Sequence, residues 1–353
     1  MDLKVALIEI GGSHEECMLS QMVALKQAGA HLTLICTAAI KDRNPHFSTY
    51  IDEYLIIKFP GKALQDFKLM QSVNRYLVAN NIRKVVLNTA QGGHIRNLCL
   101  TASRKVEFTG IIHTIRKFQG SFTQKLIHSK VKKYLVLSDF LLEKIHPPKG
   151  IRVQSFYPLE YPRFGITLEK PAGETWITIT GGVENRRKDL EGFIEMLAQI
   201  GDETVKFIFL GKSDLRKEEV IEFKRKLETI GKIKQVLFFE DFVSPELFDA
   251  YITHTDFLCP LIHPGTQSAE QYISNQISGA FNLAYSYHIP MLIHEAYHTV
   301  EDLQLSSFFY ETADFAQILE RAIAAREARA GEISAVKKWD KSFQQEKFLD
   351  FIL

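Results

Sequence analysis

Apolar residues fall along this chain in short unbroken runs separated by amphipathic stretches. Val5–Ile10 is apolar at nearly every position, as in a strand covered on both faces of a parallel sheet. A Gly11-Gly12-Ser13 turn follows, then a stretch with Met18, Met22 and Leu25 on one helical face, closed by Ala28-Gly29 before the run His31–Cys36. Further strands are predicted at Tyr54–Ile57, Lys84–Asn88, Gly110–Ile115 and Tyr134–Leu137, with a long helix over Leu64–Ala79. Pro158, Pro162, Gly165, Pro171 and Gly173 mark a linker. A second series then opens, with strands at Trp176–Thr180, Val205–Leu210, Val236–Phe239, Phe257–Leu261 and Met291–Ile293. Helices are predicted at Asp189–Ile200, Glu218–Thr229, Pro245–Ile252 and Gln276–Tyr287. This rhythm predicts two Rossmann-like α/β domains in tandem, facing across a cleft, with ligands at the carboxyl ends of the strands.

The length of 353 residues agrees with two domains. With 46% hydrophobic and 24% charged residues the chain is ordinary globular material. No apolar run reaches the ~18–20 residues of a membrane span. Met1-Asp2-Leu3-Lys4 leads straight into the first run, so no signal peptide is expected. Cys17, Cys36, Cys99 and Cys259 lie far apart, as expected of reduced core thiols in a cytoplasmic protein.

The net charge of +1 conceals an asymmetry. Through Lys170 there are 24 Lys and Arg against 13 Asp and Glu; the remainder holds 19 against 29. Such a split predicts two domains with different partners. The basic excess gathers at Arg104, Lys105, Arg116, Lys117, Lys125, Lys130, Lys132 and Lys133, interleaved with Phe118, Phe122, Leu126 and Ile127. Two readings stand beside each other: an anionic membrane surface with peripheral attachment, and a solvated helix face. No nucleic-acid module is recognisable.

Three stretches resemble the GT-B glycosyltransferases, in particular the family 4-like retaining enzymes of glycosyl transferases group 1. They are the opening strand with Gly11-Gly12 and its helix ending Ala28-Gly29-Ala30-His31; Ile177-Thr178-Ile179-Thr180-Gly181-Gly182 with Arg186-Arg187-Lys188-Asp189; and Asp256–Pro260 with Ala284–Ile293. Trp339 and the amphipathic segment to Leu353 resemble that family's terminal helix, which crosses back onto the N-terminal domain. The resemblance implies an N-terminal acceptor domain over 1–165 with the helix 339–353, and a donor domain over 174–335. It implies hexosyl transfer in polysaccharide biosynthesis, from a nucleotide-diphosphate sugar to a glycan or lipid-linked acceptor. It implies a cytoplasmic enzyme, peripheral at the inner membrane face, with no metal and no cofactor beyond the nucleotide sugar.

The chemistry of the residues runs in the same direction. A departing diphosphate needs cations or helix N-termini against it. Arg186, Arg187 and Lys188 follow a strand and open a helix, where cations oppose the helix dipole unless an anion joins them. Lys188 aligns with the family's lysine and is expected to be a solvated charge; the family's arginine falls on Val183. The family's paired glutamates fall on Asn275 and Leu283, so the pair is missing. Donor contacts are therefore expected from Ser278 and Gly279 at a helix start, with Glu270 toward the ribose. His94 after Gln91-Gly92-Gly93, and His113 and Arg116 at a strand end, are the candidates for contact with the transferred sugar or acceptor. Gly11 and Gly12 form the nearby loop.

Two alternatives stand beside this. The missing glutamate pair suits a non-catalytic GT-B-like protein that binds a glycan or a partner. His294-Glu295-Ala296-Tyr297-His298 matches the zinc-hydrolase pattern H-E-x-x-H, which needs a helix, yet it follows a predicted strand. The surrounding Tyr251–Val300 contains no Lys or Arg. No dinucleotide fingerprint, P-loop or nucleophile elbow occurs.

Overall fold

The computed structural model describes residues 3–353, the side chain of Ile273 excepted. Met1 and Asp2, at the start of the stretch in which no signal peptide is expected, lie outside the described residues. The chain divides into two compact units. The first comprises residues 1–161, 275–277 and 341–353; the second comprises 162–274 and 278–340.

The first unit is a seven-stranded, wholly parallel sheet. Its strands are β1 Lys4–Glu9, β2 His31–Thr37, β3 Glu53–Ile57, β4 Lys84–Leu87, β5 Glu107–Ile112, β6 Lys133–Val136 and β7 Arg152–Ser155. They lie in the order β3-β2-β1-β4-β5-β6-β7. The apolar run of β1 is explained by its two covered faces. Ala6 and Ile8 enter one core with Met70, Val73 and Leu77 of the helix Ala63–Ala79. Val5 and Leu7 enter another with Met18, Met22 and Leu25. The second core is closed by the terminal helix Lys341–Ile352, whose Phe348, Phe351 and Ile352 are buried in it.

The second unit repeats the plan. Its strands are β8 Thr175–Thr180, β9 Val205–Lys212, β10 Val236–Phe239, β11 Phe257–Leu258, β12 Met291–His294 and β13 Ser307–Tyr310. They lie parallel in the order β10-β9-β8-β11-β12-β13. Its core centres on Phe193, Phe207, Phe209 and Phe223, in mostly edge-to-face contact.

Two strands lack the predicted signal. β7 (Arg-Val-Gln-Ser) and β13 are the last strands of their sheets. An edge strand pairs on one side only and tolerates polar residues, so its apolar pattern is weak. β5 begins three residues earlier than its apolar run, because Glu107 forms ion pairs with Lys84 and Lys133, which open the two neighbouring strands.

In the second unit a buried carboxylate ties chain segments together. Asp256, just before β11, accepts from the Trp176 amide of β8 (2.7 Å) and pairs with Lys170 and Arg326. Removing one partner of a buried pair strands the remaining charges. Asp256→Ala is therefore expected to cost ~3–5 kcal/mol, read as a lower urea midpoint with an unchanged slope.

Candidate functional site

In a doubly wound sheet the covering helices part where the strand order reverses, and ligands enter there. The reversal lies between β1 and β4 in the first unit and between β8 and β11 in the second. The sequence candidates are placed by those two points.

In the first unit Glu9 ends β1 with its side chain buried. Its carboxylate accepts from the Gly11 amide (2.6 Å), Asn88 Nδ2 (2.7 Å) and Thr89 Oγ1 (2.6 Å). Burial raises its pKa against the pull of these hydrogen bonds. A β-carbon on Gly11 would come 2.9 Å from Glu9 Oε1, which explains the glycine; one on Gly12 would meet nothing within 4 Å.

His113, a candidate for contact with the sugar or acceptor, is buried. It is 6% exposed and its Nε2 donates to the Asn88 carbonyl (2.6 Å). Burial, then the charge of neighbouring His14, push it down to about 3, so it is neutral at ordinary pH. Its ring is stacked under His14, with centroids 3.8 Å apart and planes 13° apart. His14, which the sequence reading passed over, is the more accessible imidazole. His94 lies in the first turn of the helix Gly93–Leu100 and packs against Phe59, ring centroids 3.9 Å apart, with Nδ1 buried and without a hydrogen-bond partner among the described residues. Arg116 is exposed, but in a 3₁₀ turn, Ile115–Lys117, beyond the strand end. The Ile115 amide donates to the Asn275 carbonyl (2.8 Å), and residues 275–277 group with the first unit. Asn275 and Gln276 therefore do not open a helix.

In the second unit the turn after β8 is packed backbone to backbone. A β-carbon on Gly182 would lie 1.8 Å from the Lys212 carbonyl oxygen, and one on Gly211 would lie 2.6 Å from Gly181. Gly181 has φ +87°, and its missing β-carbon would stand 3.1 Å from Lys188 Nζ. Lys188 is thus not the solvated charge expected: it is 5% exposed. Its nearest carboxylate, Glu184, lies 3.8 Å away and is also engaged by Arg187 at 2.6 Å. Burial lowers the ammonium to about 8. Arg186 and Arg187 are exposed beside it.

Asp189 holds this turn to the sheet. Its Oδ1 caps the helix Leu190–Ala198 by accepting from the Gly192 amide (2.9 Å). Its Oδ2 lies 2.8 Å from Nδ1 of His263, whose Nε2 lies 2.7 Å from the Tyr310 hydroxyl. The tautomer that satisfies both donates from Nδ1 to the carboxylate and accepts at Nε2 from the phenol. The His263 bond holds the Asp189 carboxyl below its usual range. His263 and Tyr310 carried no motif; their pairing needs residues 47 positions apart.

The remaining candidates disperse. Ser278 caps the helix Gly279–Tyr287, its hydroxyl accepting from the Ala280 amide (3.3 Å), so the helix starts three residues later than predicted. A β-carbon on Gly279 would meet nothing within 4 Å, so packing does not require that glycine. Glu270 is exposed on the short helix Ala269–Ser274. The zinc pattern fails geometrically: His294 ends β12, and Glu295–Tyr297 is a 3₁₀ turn. His294 Nδ1 accepts from the Ala296 amide, and His298 Nδ1 pairs with the Glu295 carbonyl. Among the described residues no three His, Cys, Asp or Glu side chains form a metal-binding group.

No Lys or Arg occurs from Gln235 to Glu320. That span contains β10 to β13 and their loops. Positive charge at the carboxyl ends of this sheet comes from the turn after β8 and the loop after β9.

No protein-family model matches the chain, and no curated protein sequence does. Solved structures do. Anabaena HepE in complex with UDP superposes with a TM-score of 0.69 at 13% identity, over 99% of both chains. A glycosyltransferase from Rickettsia africae gives 0.67 at 12%, over 99% of this chain and 97% of the other. UDP-GlcNAc 2-epimerase from Neisseria meningitidis, bound to UDP-GlcNAc, gives 0.63 at 12%, over 99% of both. With its two doubly wound units and these whole-chain superpositions, the protein has the GT-B fold.

Proposed function

We propose that the protein is a glycosyltransferase. Its second unit binds the diphosphate of a nucleotide sugar, and its first unit receives a glycan or lipid-linked acceptor. The observation that carries this is Lys188: an ammonium 5% exposed, at a strand-order reversal, with no carboxylate closer than 3.8 Å among the described residues. A buried cation so weakly compensated is costly in the empty protein and suits an incoming anion. Structures of similar fold contain UDP, UDP-glucose or UDP-GlcNAc. Arg186 and Arg187 would add charge at the same turn, and departure of the nucleoside diphosphate would be helped by these cations. No further cofactor is proposed.

The glutamate positions favour a second reading. Leu283 is 2% exposed within its helix, and Asn275 groups with the first unit. A carboxylate contact to the ribose is therefore not available from either, which suits a protein that binds nucleotide sugar without turning it over. UDP binding without release of UDP from any nucleotide sugar would support that reading; turnover removes it.

Lys188 gives two expected outcomes. Its folded-state value near 8 lies below the ordinary lysine value of 10.5, so between them the unfolded state holds more protons and stability rises with pH. At pH 7 the full penalty is present, roughly 3 kcal/mol, and Lys188→Met should raise the melting temperature there. The same variant should weaken UDP binding by ~1.5–3 kcal/mol in calorimetry. Wild-type affinity for UDP should fall by up to about tenfold per pH unit above the Lys188 value. Equal UDP affinity in variant and wild type would remove Lys188 from the site.

The first unit carries an exposed aromatic at the start of the helix Phe122–Lys130. Phe122 is 74% exposed, with exposed Arg116, Lys117 and Lys125 nearby in sequence. Ile127 and Phe118, by contrast, are core residues, and Lys130, Lys132 and Lys133 are tied to Ser103, His128 and Glu107. No described helix is long and apolar enough to cross a membrane. A lipid-linked acceptor would thus be met at an anionic surface, each cation contributing ~1 kcal/mol. Co-sedimentation with anionic liposomes should appear at low salt and fade at ~1 M, where the Debye length is ~3 Å. Phe122→Ser should weaken it; a soluble acceptor is indicated if wild type stays in the supernatant.

A further inference from the structure

A strand at the end of a sheet leaves backbone N–H and C=O groups without a ladder partner, which is a template for a further strand unless something covers or charges it. Three of the four sheet ends here are so protected. Beside β7, Gln154 Nε2 donates to the Lys347 carbonyl (3.0 Å) of the terminal helix, and Arg152 stands over the Phe351 ring. At β13, Arg329 of the helix Phe315–Ala335 stands over Phe308, 5.1 Å from the ring centroid. At β3, Lys41 stands over Tyr54, and Asp52 is taken up by Lys26 Nζ (2.9 Å) and the Leu32 amide (2.7 Å).

The fourth end, β10, differs. It pairs with β9 alone. Val236 and Phe238 turn inward to the core of the second unit. Leu237, between them, is 41% exposed, and Phe242, just past the strand, is 68% exposed. Ile221 on the covering helix Glu218–Thr229 is 54% exposed. No proline interrupts the stretch from Lys232 to Phe242. Its charges are separated by sign: Lys232 and Lys234 precede the strand, and Glu240 and Asp241 follow it. Lys234, Glu240 and Asp241 are exposed and form no ion pair among the described residues.

We infer that β10 is a pairing edge for a second copy of this chain, the two β10 strands running antiparallel about a two-fold axis. The charge pattern selects both the occupant and the direction. A strand basic before and acidic after is complementary to itself when one copy is reversed. With Leu237 of one copy opposite Phe238 of the other, Lys234 comes opposite Asp241 and Gln235 opposite Glu240, and the symmetry makes each contact twice. In-register parallel pairing would instead set like charges side by side, which destabilises a sheet. Leu237, Phe242 and Ile221 supply the apolar area that the edge leaves open. The strand has four residues, so the contact is small and the association reversible. The inference is independent of the transferase reading, because it uses the outer edge of one unit and no bound ligand.

The test is sedimentation equilibrium of the full chain. The mass of wild type should rise from 40.4 kDa toward twice that as the concentration is raised to about 0.5 mM. Lys234→Glu sets carboxylate against carboxylate at both contacts, and the double variant Glu240→Lys/Asp241→Lys sets ammonium against ammonium. Each alone should weaken the dimer at least about tenfold, with circular dichroism and melting temperature unchanged because the three side chains are exposed. An equimolar mixture of the two should dimerise again, since each contact then joins opposite charges. Leu237→Lys should weaken the dimer without any charge partner being removed. Wild type that stays monomeric at about 0.5 mM overturns the inference. So does a dimer unchanged in Leu237→Lys or in both charge variants, which would place the contact elsewhere. A mixture of folded charge variants that remains monomeric overturns the antiparallel pairing and the inference with it.

Discussion

A parallel sheet covered by helices on both faces leaves only its edges and strand ends for chemistry. Both sheets of this protein obey that constraint, and in each the strand order reverses once, between β1 and β4 and between β8 and β11. A reversal sends the two flanking connections to opposite faces and leaves the carboxyl ends between them open. The glycines at these points follow from the same crowding. Gly182 and Gly211 let the ends of β8 and β9 touch backbone to backbone, and Gly11 lets the chain turn over the Glu9 carboxylate.

Such openings allow polar groups to sit close to the core with few water contacts, and the two units use this differently. In the first, a hydrogen-bonded set centred on Glu9, Asn88 and His113 is largely satisfied internally and presents His14 on top. Satisfied networks are rigid, so the set suits positioning. In the second, Lys188 is buried with its charge poorly matched, while Asp189, His263 and Tyr310 fix the helix start beside it. An unmatched charge on a rigid frame stores binding energy for an anion at the expense of stability.

The long span without Lys or Arg sharpens this. With no Lys or Arg from Gln235 to Glu320, the loops after β10 to β13 add no positive charge, which is left to the turn after β8 and the loop after β9. The basic residues of the first unit are likewise fewer in practice than in sequence. Lys84 and Lys133 are held by Glu107 at the strand starts, whereas exposed Arg104, Lys105, Arg116, Lys117 and Lys125 have no ion pair among the described residues.

Local pattern alone determined the two-unit α/β plan, because a strand buried on both faces must be apolar at consecutive positions, as Val5–Ile8 and Phe207–Leu210 are. It also placed the turn glycines and the basic turn 186–188, which are contiguous in sequence. Edge strands escaped it, since β7 and β13 need cover less surface, and so did the true start of the helix at Gly279. Whether a side chain is buried was decided only by tertiary structure. Lys188 reads as a solvated charge and His113 as a contact to the sugar or acceptor, yet both are buried, because the turn after β8 closes over one and His14 covers the other. The Asp189–His263–Tyr310 chain and the His14–Glu16–His113 group have the same origin. Asp189, His263 and Tyr310 lie on separate segments, as do His14 and His113, and only the parallel register brings those strand ends side by side.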